Sequence, residues 1–349
     1  MRSSNLINNA ILPLTGVTMA GYITARVKTY KDNLIKLGFI EPFPKVLSVF
    51  VTNRCNFSCN YCSRNLDNEV VNKYIEESEF RIDDLNLLLN RYPTIATVSF
   101  VGIGEPFLAK DLIPMAKLCK EYKKNTHVIT NASQLHRNWG NIARNFDSLS
   151  ISLHGLSSEE LMNIAHVNKG VFDQLIKNIK YLMEKEILLN LNIKISASVV
   201  VLKDNLDRVQ KAAEFCVNNS IPVLELHNYL PVDIKDSKRC IFEDDEIYIR
   251  YIKDLKKIYT GKLNITLPIF IKRNPGDLSL SCMTFFRTLR VDSLGNVSGC
   301  SRIFIPRAQN GNFKIEKDVW KNYYFESMRK AFICKKGVPD LCRFCPDAQ

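Results

Sequence analysis

Short apolar runs alternate with stretches of helical periodicity from residue 46 to about residue 258. Continuous apolar runs are typical of buried strands, whereas apolar positions repeated every three or four residues are typical of amphipathic helices. The predicted strands are Val46–Thr52, Thr97–Val101, His127–Thr130, Ser148–Leu153, Leu189–Val201 and Val223–Leu226. The predicted helices are Ile82–Asn90, Leu112–Tyr122, Trp139–Arg144, Val171–Lys185, Leu206–Asn218 and Glu243–Lys257.

This alternation predicts an α/β domain with a parallel sheet, because strands joined through helices pair in parallel with right-handed crossovers. The pattern is compatible with an open doubly wound sheet and with a curved barrel. In both architectures the functional loops lie at the carboxyl ends of the strands. The loop that follows the first strand, Val46–Thr52, is therefore expected to contribute to a site.

The pattern changes after about residue 258. We predict a strand over Leu263–Ile271, a hairpin over Thr288–Ser298 that turns at Gly295-Asn296, and a helix over Val319–Phe332. These elements predict a domain boundary between residues 258 and 280. We therefore divide the chain into an N-terminal extension (1–45), a core domain (46–260) and a small α+β domain (261–349).

The N-terminal extension has apolar positions near helical spacing over residues 17–38, which predicts a helix packed on the main domain. An amphipathic helix on a membrane surface is the alternative. Residues 11–21 are weakly apolar but are interrupted by Pro13 and by polar positions. Neither a cleaved signal nor a transmembrane segment is expected, and a cytoplasmic location is predicted.

The net charge of +12 is spread along the chain. Lysines are interleaved with acidic residues, as in 253–257, which favours solvated faces over a nucleic-acid surface. Nucleic acid is therefore not an expected partner. The eleven cysteines are partly grouped at the spacings of metal sites, which indicates a reducing compartment.

Cys55, Cys59 and Cys62 stand at C-x3-C-x2-C spacing directly after the first predicted strand. Three thiolates would leave one iron of a 4Fe-4S cluster without a protein ligand and free to bind a substrate or cofactor. This motif, with the aromatic Tyr61 before its last cysteine, resembles that of the radical S-adenosylmethionine (SAM) superfamily. The resemblance covers most of the chain.

The segment Gly102-Ile-Gly-Glu-Pro106 follows the second strand and resembles the glycine–glycine–glutamate motif of that superfamily. In the superfamily this motif binds the amino group of the SAM methionine. Glycines allow close approach of the backbone to a ligand, and Glu105 offers a carboxylate to an ammonium group. Ile103 stands where many members have glycine, so Gly104 and Glu105 are assigned more firmly than Gly102.

Other positions resemble the residues that contact the rest of SAM. Thr130-Asn131 follows the third strand, and Ser150 and Ser152 lie on the fourth, where members contact the methionine carboxylate or the ribose. For the serines, ordinary alternation along a strand is the alternative explanation. Tyr61 resembles the aromatic residue that packs near adenine.

A second set of cysteines lies near the C-terminus: Cys282, Cys300, Cys342 and Cys345. Four thiolates are enough to hold a cluster, and zinc is the alternative for such a set. The arrangement resembles the C-terminal twitch extension of radical SAM enzymes, a shortened SPASM domain that holds an auxiliary 4Fe-4S cluster. The resemblance favours the cluster over zinc. Cys334 could replace one ligand or be a free thiol.

The remaining cysteines have less specific predictions. Cys119 and Cys216 lie in helical patterns and are predicted to be core residues. Cys240 and Cys334 are candidates for the thiol that returns a hydrogen atom to the substrate radical in radical SAM epimerases. The polar residues near predicted strand ends could contact substrate, although none is assigned as a general base: His154, Glu225, His227, Asn228 and Tyr229.

The resemblance implies a partial (β/α)6 TIM-like barrel followed by a small α+β twitch/SPASM-like domain. It also implies that the cluster at Cys55, Cys59 and Cys62 binds SAM and cleaves it reductively, with electrons from a flavodoxin or ferredoxin. The resulting 5′-deoxyadenosyl radical would remove a hydrogen atom from an unactivated carbon.

The substrate implied is a small polar molecule such as a sugar or cyclitol, oxidised by two electrons with the auxiliary cluster as electron acceptor. One alternative is modification or epimerisation of a ribosomally made peptide. The residues before the first strand look too few for the leader-binding domain that such enzymes often have. An alternative of another class is a non-enzymatic iron–sulfur electron carrier or sensor, which would have no need of an ammonium site.

Overall fold

A computed structural model describes residues 32–36, 38–60, 62, 78–135, 139–189, 192–231, 234–273, 282–300, 307–345 and 347–348. The chain divides into two compact units, Met1–Pro42 and Phe43–Gln349. In the first unit residues 32–36 are helical, as predicted, and the rest of the predicted N-terminal helix lies outside the described residues. Within the described ranges, every helix is too short or too polar to span a bilayer.

The second unit is built on a sheet of ten strands. They are β1 (Val46–Phe50), β2 (Thr97–Val101), β3 (Asn125–Thr130), β4 (Ser148–Ser152), β5 (Lys194–Val201), β6 (Val223–Asn228), β7 (Asn264–Thr266), β8 (Thr288–Val291), β9 (Asn296–Ser298) and β10 (Arg307–Asn312). The strand order is β10-β9-β8-β1-β2-β3-β4-β5-β6-β7. Strands β1 to β7 pair in parallel in chain order, and β8 pairs in parallel with β1.

The described α-helices of this unit are α1 (Ile82–Arg91), α2 (Leu112–Glu121), α3 (Trp139–Asn145), α4 (Ser158–Ala165), α5 (Val171–Leu189), α6 (Leu206–Asn218), α7 (Glu246–Ile258), α8 (Thr284–Arg287) and α9 (Tyr323–Cys334). Short 3-10 turns cover Pro106–Leu108, Ile234–Arg239, Val319–Lys321 and Asp340–Phe344.

The six predicted strand–helix units are present, and the α/β prediction of a partial (β/α)6 barrel is confirmed. The predicted strand over Leu189–Val201 begins too early, because α5 extends to Leu189 and the strand starts at Lys194. The predicted strand over Leu263–Ile271 is shorter, with regular pairing only over Asn264–Thr266.

The two faces of the sheet have different surroundings. Phe100 on β2 packs edge-on against Phe146, which follows α3, at a ring distance of 5.9 Å. That face carries the helices and the apolar core. Cross-strand neighbours point to the same side of a sheet, so the register defines a second face. We call it the open face; its polar members include Ser48, Ser99, His127, Ser148, Ser150, Ser152, Lys194, Ser196, Ser198, Glu225 and His227.

The predicted C-terminal hairpin is formed by β8 and β9, which pair antiparallel. Its turn contains Gly295 at a φ of 92°, a conformation that favours glycine. The Asp292 side chain accepts hydrogen bonds from the Leu294 and Asn296 backbones at 3.0 and 2.8 Å. The predicted helix over Val319–Phe332 is instead a 3-10 turn followed by α9, whose first turn is capped by Asn322.

The C-terminal segment packs directly on the barrel. Arg91 at the end of α1 donates through Nη1 to the carbonyls of Phe313 and Glu316, at 2.7 and 3.1 Å. The Tyr92 hydroxyl lies 2.9 Å from the Asp318 carboxylate. Since β8 also extends the sheet at β1, the sheet crosses the predicted boundary at residue 260. That boundary stays a prediction.

Candidate active site

The segment that carries Cys55, Cys59 and Cys62, here called the cysteine loop, follows β1 and contacts helix α4. The backbone amides of Ser58 and Asn60 donate to the carbonyls of Ala165 and Ile164, at 2.9 and 3.0 Å. Phe57 and Cys59 are buried in a small apolar cluster with Leu161 and Ala165. Cys55 and Cys62 pack against this cluster and are partly exposed. The loop is therefore supported at the C-terminal end of the barrel.

Helix α4 is absent from the elements predicted above, although the sequence carries a signal for it. The Ser157 side chain accepts a hydrogen bond from the Glu160 backbone at 3.1 Å, and the Glu160 carboxylate accepts one from the Leu156 backbone at 2.8 Å. This exchange is close to the capping box that starts many helices. A serine followed three residues later by glutamate would have predicted this helix.

Cys55 and Cys62 lie close enough to Cys59 to affect the ionisation of its thiol. Burial raises the pKa of Cys59 to about 11, and the neighbouring Cys62 and Cys55 contribute to the increase. Gathering thiolates in a buried loop is unfavourable unless a metal neutralises them. The donor set therefore suits an iron–sulfur cluster at Cys55, Cys59 and Cys62.

The segment after β2 lies directly against the cysteine loop at Gly104. A Cβ atom on Gly104 would be 2.3 Å from the Thr52 carbonyl oxygen and 2.4 Å from that of Arg54. The next residue, Glu105, donates its backbone amide to the Arg54 carbonyl at 2.8 Å. Arg54 in turn donates through Nη2 to the Leu108 carbonyl at 3.0 Å. Glycine is needed here because the two backbones touch.

The Glu105 side chain is buried, with an exposed fraction of 2%. Its Oε1 accepts from the Thr130 hydroxyl at 2.6 Å and from the Phe107 amide at 3.2 Å, and its Oε2 accepts from the Asn131 amide at 2.8 Å. Burial raises its pKa to about 7 despite these bonds. A carboxylate has about four acceptor positions, so one remains on Oε2.

Asn131 joins the loop after β3 to the cysteine loop. Its Nδ2 lies 3.2 Å from Asn56 Oδ1 and 4.0 Å from Cys55 Sγ. Its Oδ1 accepts from the hydroxyl and the amide of Ser133, at 2.6 and 3.0 Å. Asn56 also donates to the Ser133 hydroxyl at 2.8 Å. The predicted residues Glu105 and Asn131 thus meet beside Cys55.

Asn178 on α5 supports the loop after β3 and was not among the predicted site residues. It is buried and donates through Nδ2 to the carbonyls of Ala132 and Ser133, at 2.9 and 3.0 Å. Ala132 has a φ of 63°, an unfavourable conformation for alanine. A lone asparagine within a helical pattern carries no signal for such a role.

His154, at the end of β4, lies edge-on to Phe57 of the cysteine loop at a ring distance of 6.0 Å. Arg208 on α6 donates to the His154 and Leu153 carbonyls, at 2.5 and 2.9 Å. Burial and the adjacent Arg208 lower the pKa of His154 to about 4. The imidazole is therefore neutral at ordinary pH.

Ser150 and Ser152 both lie on the open face of β4, where Ser150 is buried and Ser152 is half-buried. Their proposed contacts with SAM stay predictions. Tyr61 lies outside the described residues, and so does its predicted place near adenine.

Farther along the open face, β6 carries an acid and an imidazole. Glu225 Oε2 lies 3.7 Å from His227 Nε2, and both side chains are partly exposed. Contacts with His227 and Ser196 hold the pKa of Glu225 below its usual range. On β3 the pKa of His127 is lowered by burial, and its Nδ1 lies 2.9 Å from the Ser148 hydroxyl. This end of the face presents an anionic carboxylate between two imidazoles.

The C-terminal cysteines also come together. The pKa of Cys282 is raised by burial and by the proximity of Cys300 and Cys345. Cys342 lies on the last 3-10 turn and Cys345 directly follows it; both are buried, and the Cys345 amide donates to the Cys342 carbonyl at 3.1 Å. The Ser298 hydroxyl fixes the Cys300 backbone by accepting from its amide at 3.1 Å. With three of its cysteines buried and Cys300 half-buried, this set suits a metal cluster.

In the described ranges, no three or more His, Cys, Asp or Glu side chains converge as ligands of one metal ion. A 4Fe-4S cluster does not require that convergence, since each thiolate binds a different iron.

The other cysteines differ in exposure. Cys119 and Cys216 are fully buried in α2 and α6, which confirms that they are core residues. Cys240 is also fully buried, and its thiol lies 3.4 Å from the Tyr229 carbonyl within a cluster that includes Phe242. The hydrogen-donor role of Cys240 stays a prediction. Cys334 is exposed at the end of α9, and its role stays a prediction.

Comparison with known proteins agrees with this fold. The Radical SAM superfamily matches residues 49–216, which include the three loop cysteines and the segment at Gly104. This match identifies a Radical SAM domain over just under half of the chain. GTP 3',8-cyclase of Campylobacter jejuni subsp. doylei is 29% identical over 175 residues, covering 48% of this chain and 51% of the relative. The chain thus spans about half the length of this curated relative.

Two solved structures share the fold over most of the chain. SuiB of Streptococcus suis, bound to its precursor peptide SuiA, is 19% identical with a TM-score of 0.63, covering 94% of this chain and 75% of SuiB. The structure of anSMEcpe with bound AdoMet is 16% identical with a TM-score of 0.60, covering 87% of this chain and 89% of anSMEcpe. At these identities the similarity establishes the fold alone.

Proposed function

We infer that the protein is a radical SAM enzyme that oxidises a hydroxyl-bearing carbon of a small polar substrate, such as a sugar or cyclitol. The superfamily uses a 4Fe-4S cluster and SAM, which together supply a 5′-deoxyadenosyl radical able to remove hydrogen from an unactivated carbon. Cys55, Cys59 and Cys62 would hold this cluster. Glu105 has one free acceptor position for the SAM ammonium.

The substrate class is supported by a single feature, the polar open face. Serines on β4 and β5 lie in register with Glu225 on β6, on the same face as His227. Hydroxyl and carboxylate groups bind the hydroxyls of a small polar molecule well, and an imidazole can accept a proton from one of them. In this proposal the Glu225–His227 pair binds the reacting hydroxyl and takes its proton.

The C-terminal cysteines support the two-electron character of the reaction. Held by Cys282, Cys300, Cys342 and Cys345, an auxiliary 4Fe-4S cluster would supply an acceptor for the second electron. The electron for SAM cleavage would come from an external flavodoxin or ferredoxin.

The open face can be tested with a panel of cyclitols, amino sugars and sugar nucleotides, assayed with the reconstituted enzyme, SAM and dithionite. We expect one class to stimulate 5′-deoxyadenosine formation and to give a ketone that a hydrazine reagent traps. Glu225→Gln should lower the stimulated rate tenfold or more and leave unstimulated SAM cleavage unchanged. Lys194→Gln is the matched control, since Lys194 lies on the same face at the other end of β5.

Equal stimulated rates in Glu225→Gln and the wild type would remove this pair from the substrate site. Stimulation by peptides alone would instead support the second candidate, modification of a ribosomally made peptide. That candidate draws on SuiB, which has a similar fold and whose structure contains a bound precursor peptide. Epimerisation would need a donor thiol, for which Cys240 and Cys334 are the candidates.

A further inference from the structure

A buried arginine stands beside the C-terminal cysteines. Arg290 lies on β8, opposite Ser298 on β9, and Cys300 follows two residues after that partner. Its Nη1 donates to the Gly299 carbonyl at 2.7 Å. The guanidinium is thereby fixed against the backbone that leads into Cys300.

The Nε atom of Arg290 is buried and lacks a hydrogen-bond partner among the described residues. A buried donor without a partner is costly, and such a donor commonly faces a group that a structure does not contain. Burial lowers the pKa of Arg290, whereas Cys300, Cys282, Asp347 and Tyr324 act in the opposite direction. Two of these four neighbours are the cysteines expected to bind the auxiliary cluster.

We propose that Arg290 is a positioning residue for the auxiliary cluster: its Nε–H group donates to a cluster sulfur, and its charge stabilises the cluster after it has accepted an electron. The inference rests on the auxiliary cluster of the proposed function. A cluster gains negative charge on reduction, so a fixed neighbouring cation favours the reduced form. Net charge and hydrogen bonds to sulfur are the main protein controls of cluster potential. Arg290 would thus help this cluster to act as the electron acceptor.

The test uses the full-length chain with Cys55, Cys59 and Cys62 replaced by alanine, so that only the auxiliary cluster assembles. Iron analysis and EPR of this protein establish whether the cluster exists. If it binds zinc or no iron, the auxiliary cluster of the proposed function is refuted, and the proposed role of Arg290 is overturned with it. If it binds iron, redox titration followed by EPR gives the ratio of reduced to oxidised cluster at a fixed solution potential.

We expect Arg290→Gln to lower that ratio about tenfold, which corresponds to about 59 mV for a one-electron couple. Arg290→Lys keeps the positive charge, so its ratio of reduced to oxidised cluster should stay closer to that of the protein with Arg290. The matched control is Arg91→Gln, because Arg91 also binds backbone carbonyls of the C-terminal segment. It should leave the ratio unchanged.

An unchanged ratio in Arg290→Gln, with full iron content, would overturn the proposal. If Arg290→Gln loses the cluster, Arg290→Lys decides. Retention of the cluster by the lysine variant supports the role of the charge. Loss in both variants would show that Arg290 serves only to hold the Gly299 backbone, and would overturn the proposal.

Discussion

At the scale of single residues, His154 shows how the site controls ionisation. Its imidazole packs edge-on against Phe57, and Arg208 donates to the His154 carbonyl. Because Arg208 is already positively charged, a second positive charge on His154 is unfavourable. The pKa of about 4 in the folded state compares with an ordinary value of 6.5. Between these values the unfolded chain binds more protons, so the folded state loses stability as the pH falls.

Replacing this residue should therefore flatten the pH dependence of stability. The free energy of unfolding of the apoprotein should fall by about 2 kcal/mol between pH 7.5 and pH 5 through His154 alone. Urea titrations at both values should show a loss smaller by about that amount in His154→Gln. An equal loss in both proteins would mean that His154 is not held neutral. NMR titration of its imidazole would check the midpoint directly.

Glu105 shows what the sequence could predict at this scale and what it could not. The motif predicted that Glu105 follows β2. In the structure its carboxylate accepts from the Asn131 amide, and its backbone amide donates to the Arg54 carbonyl, next to Cys55. Its hydrogen bonds with Thr130 and Asn131 were not predictable, because they join residues that are far apart in sequence. Asn178 and Arg208 were missed for the same reason.

At the scale of elements, the cysteine loop and the segment after β2 are held together by backbone contact. The Cβ of an alanine at position 104 would overlap carbonyl oxygens of Thr52 and Arg54, and neither can move without displacing the loop. We expect Gly104→Ala to destabilise the apoprotein by about 2–4 kcal/mol and to weaken SAM binding.

Gly140→Ala is the matched control for this prediction. Gly140 lies within α3, and an added Cβ would have no heavy atom within 4 Å. Alanine favours helix, so this change should be neutral or stabilise by up to about 1 kcal/mol. Urea denaturation of both variants makes the comparison. Similar free energies of unfolding for Gly104→Ala and Gly140→Ala would show that the contact at Thr52 is not tight.

Strands and helices were predicted most accurately where periodicity was strong, as in α6 and β2. The short helix α4 was missed because eight residues carry little periodicity, although its capping residues were readable. The start of β5 was misplaced because its apolar residues follow the apolar end of α5 without a break.

At the scale of the molecule, one sheet joins the barrel to the C-terminal cysteines. Strand β8 pairs with β1, the strand that leads into Cys55. The two cysteine groups are thus connected through adjacent strands. Local patterns predicted the hairpin but not this pairing, because contact between residues 46–49 and 288–291 depends on tertiary packing. The proposed transfer of an electron between substrate and auxiliary cluster relies on this arrangement.

The central claim is that Cys55, Cys59 and Cys62 hold a cluster that cleaves SAM, and anoxic assay of 5′-deoxyadenosine tests it most directly. With dithionite and SAM, the reconstituted protein should form 5′-deoxyadenosine over several turnovers, and Cys59→Ala should form none. Cys119→Ala, a change of a buried core cysteine, is the control and should retain cleavage if the variant folds. Wild-type protein with a full iron complement that forms no 5′-deoxyadenosine would contradict the account.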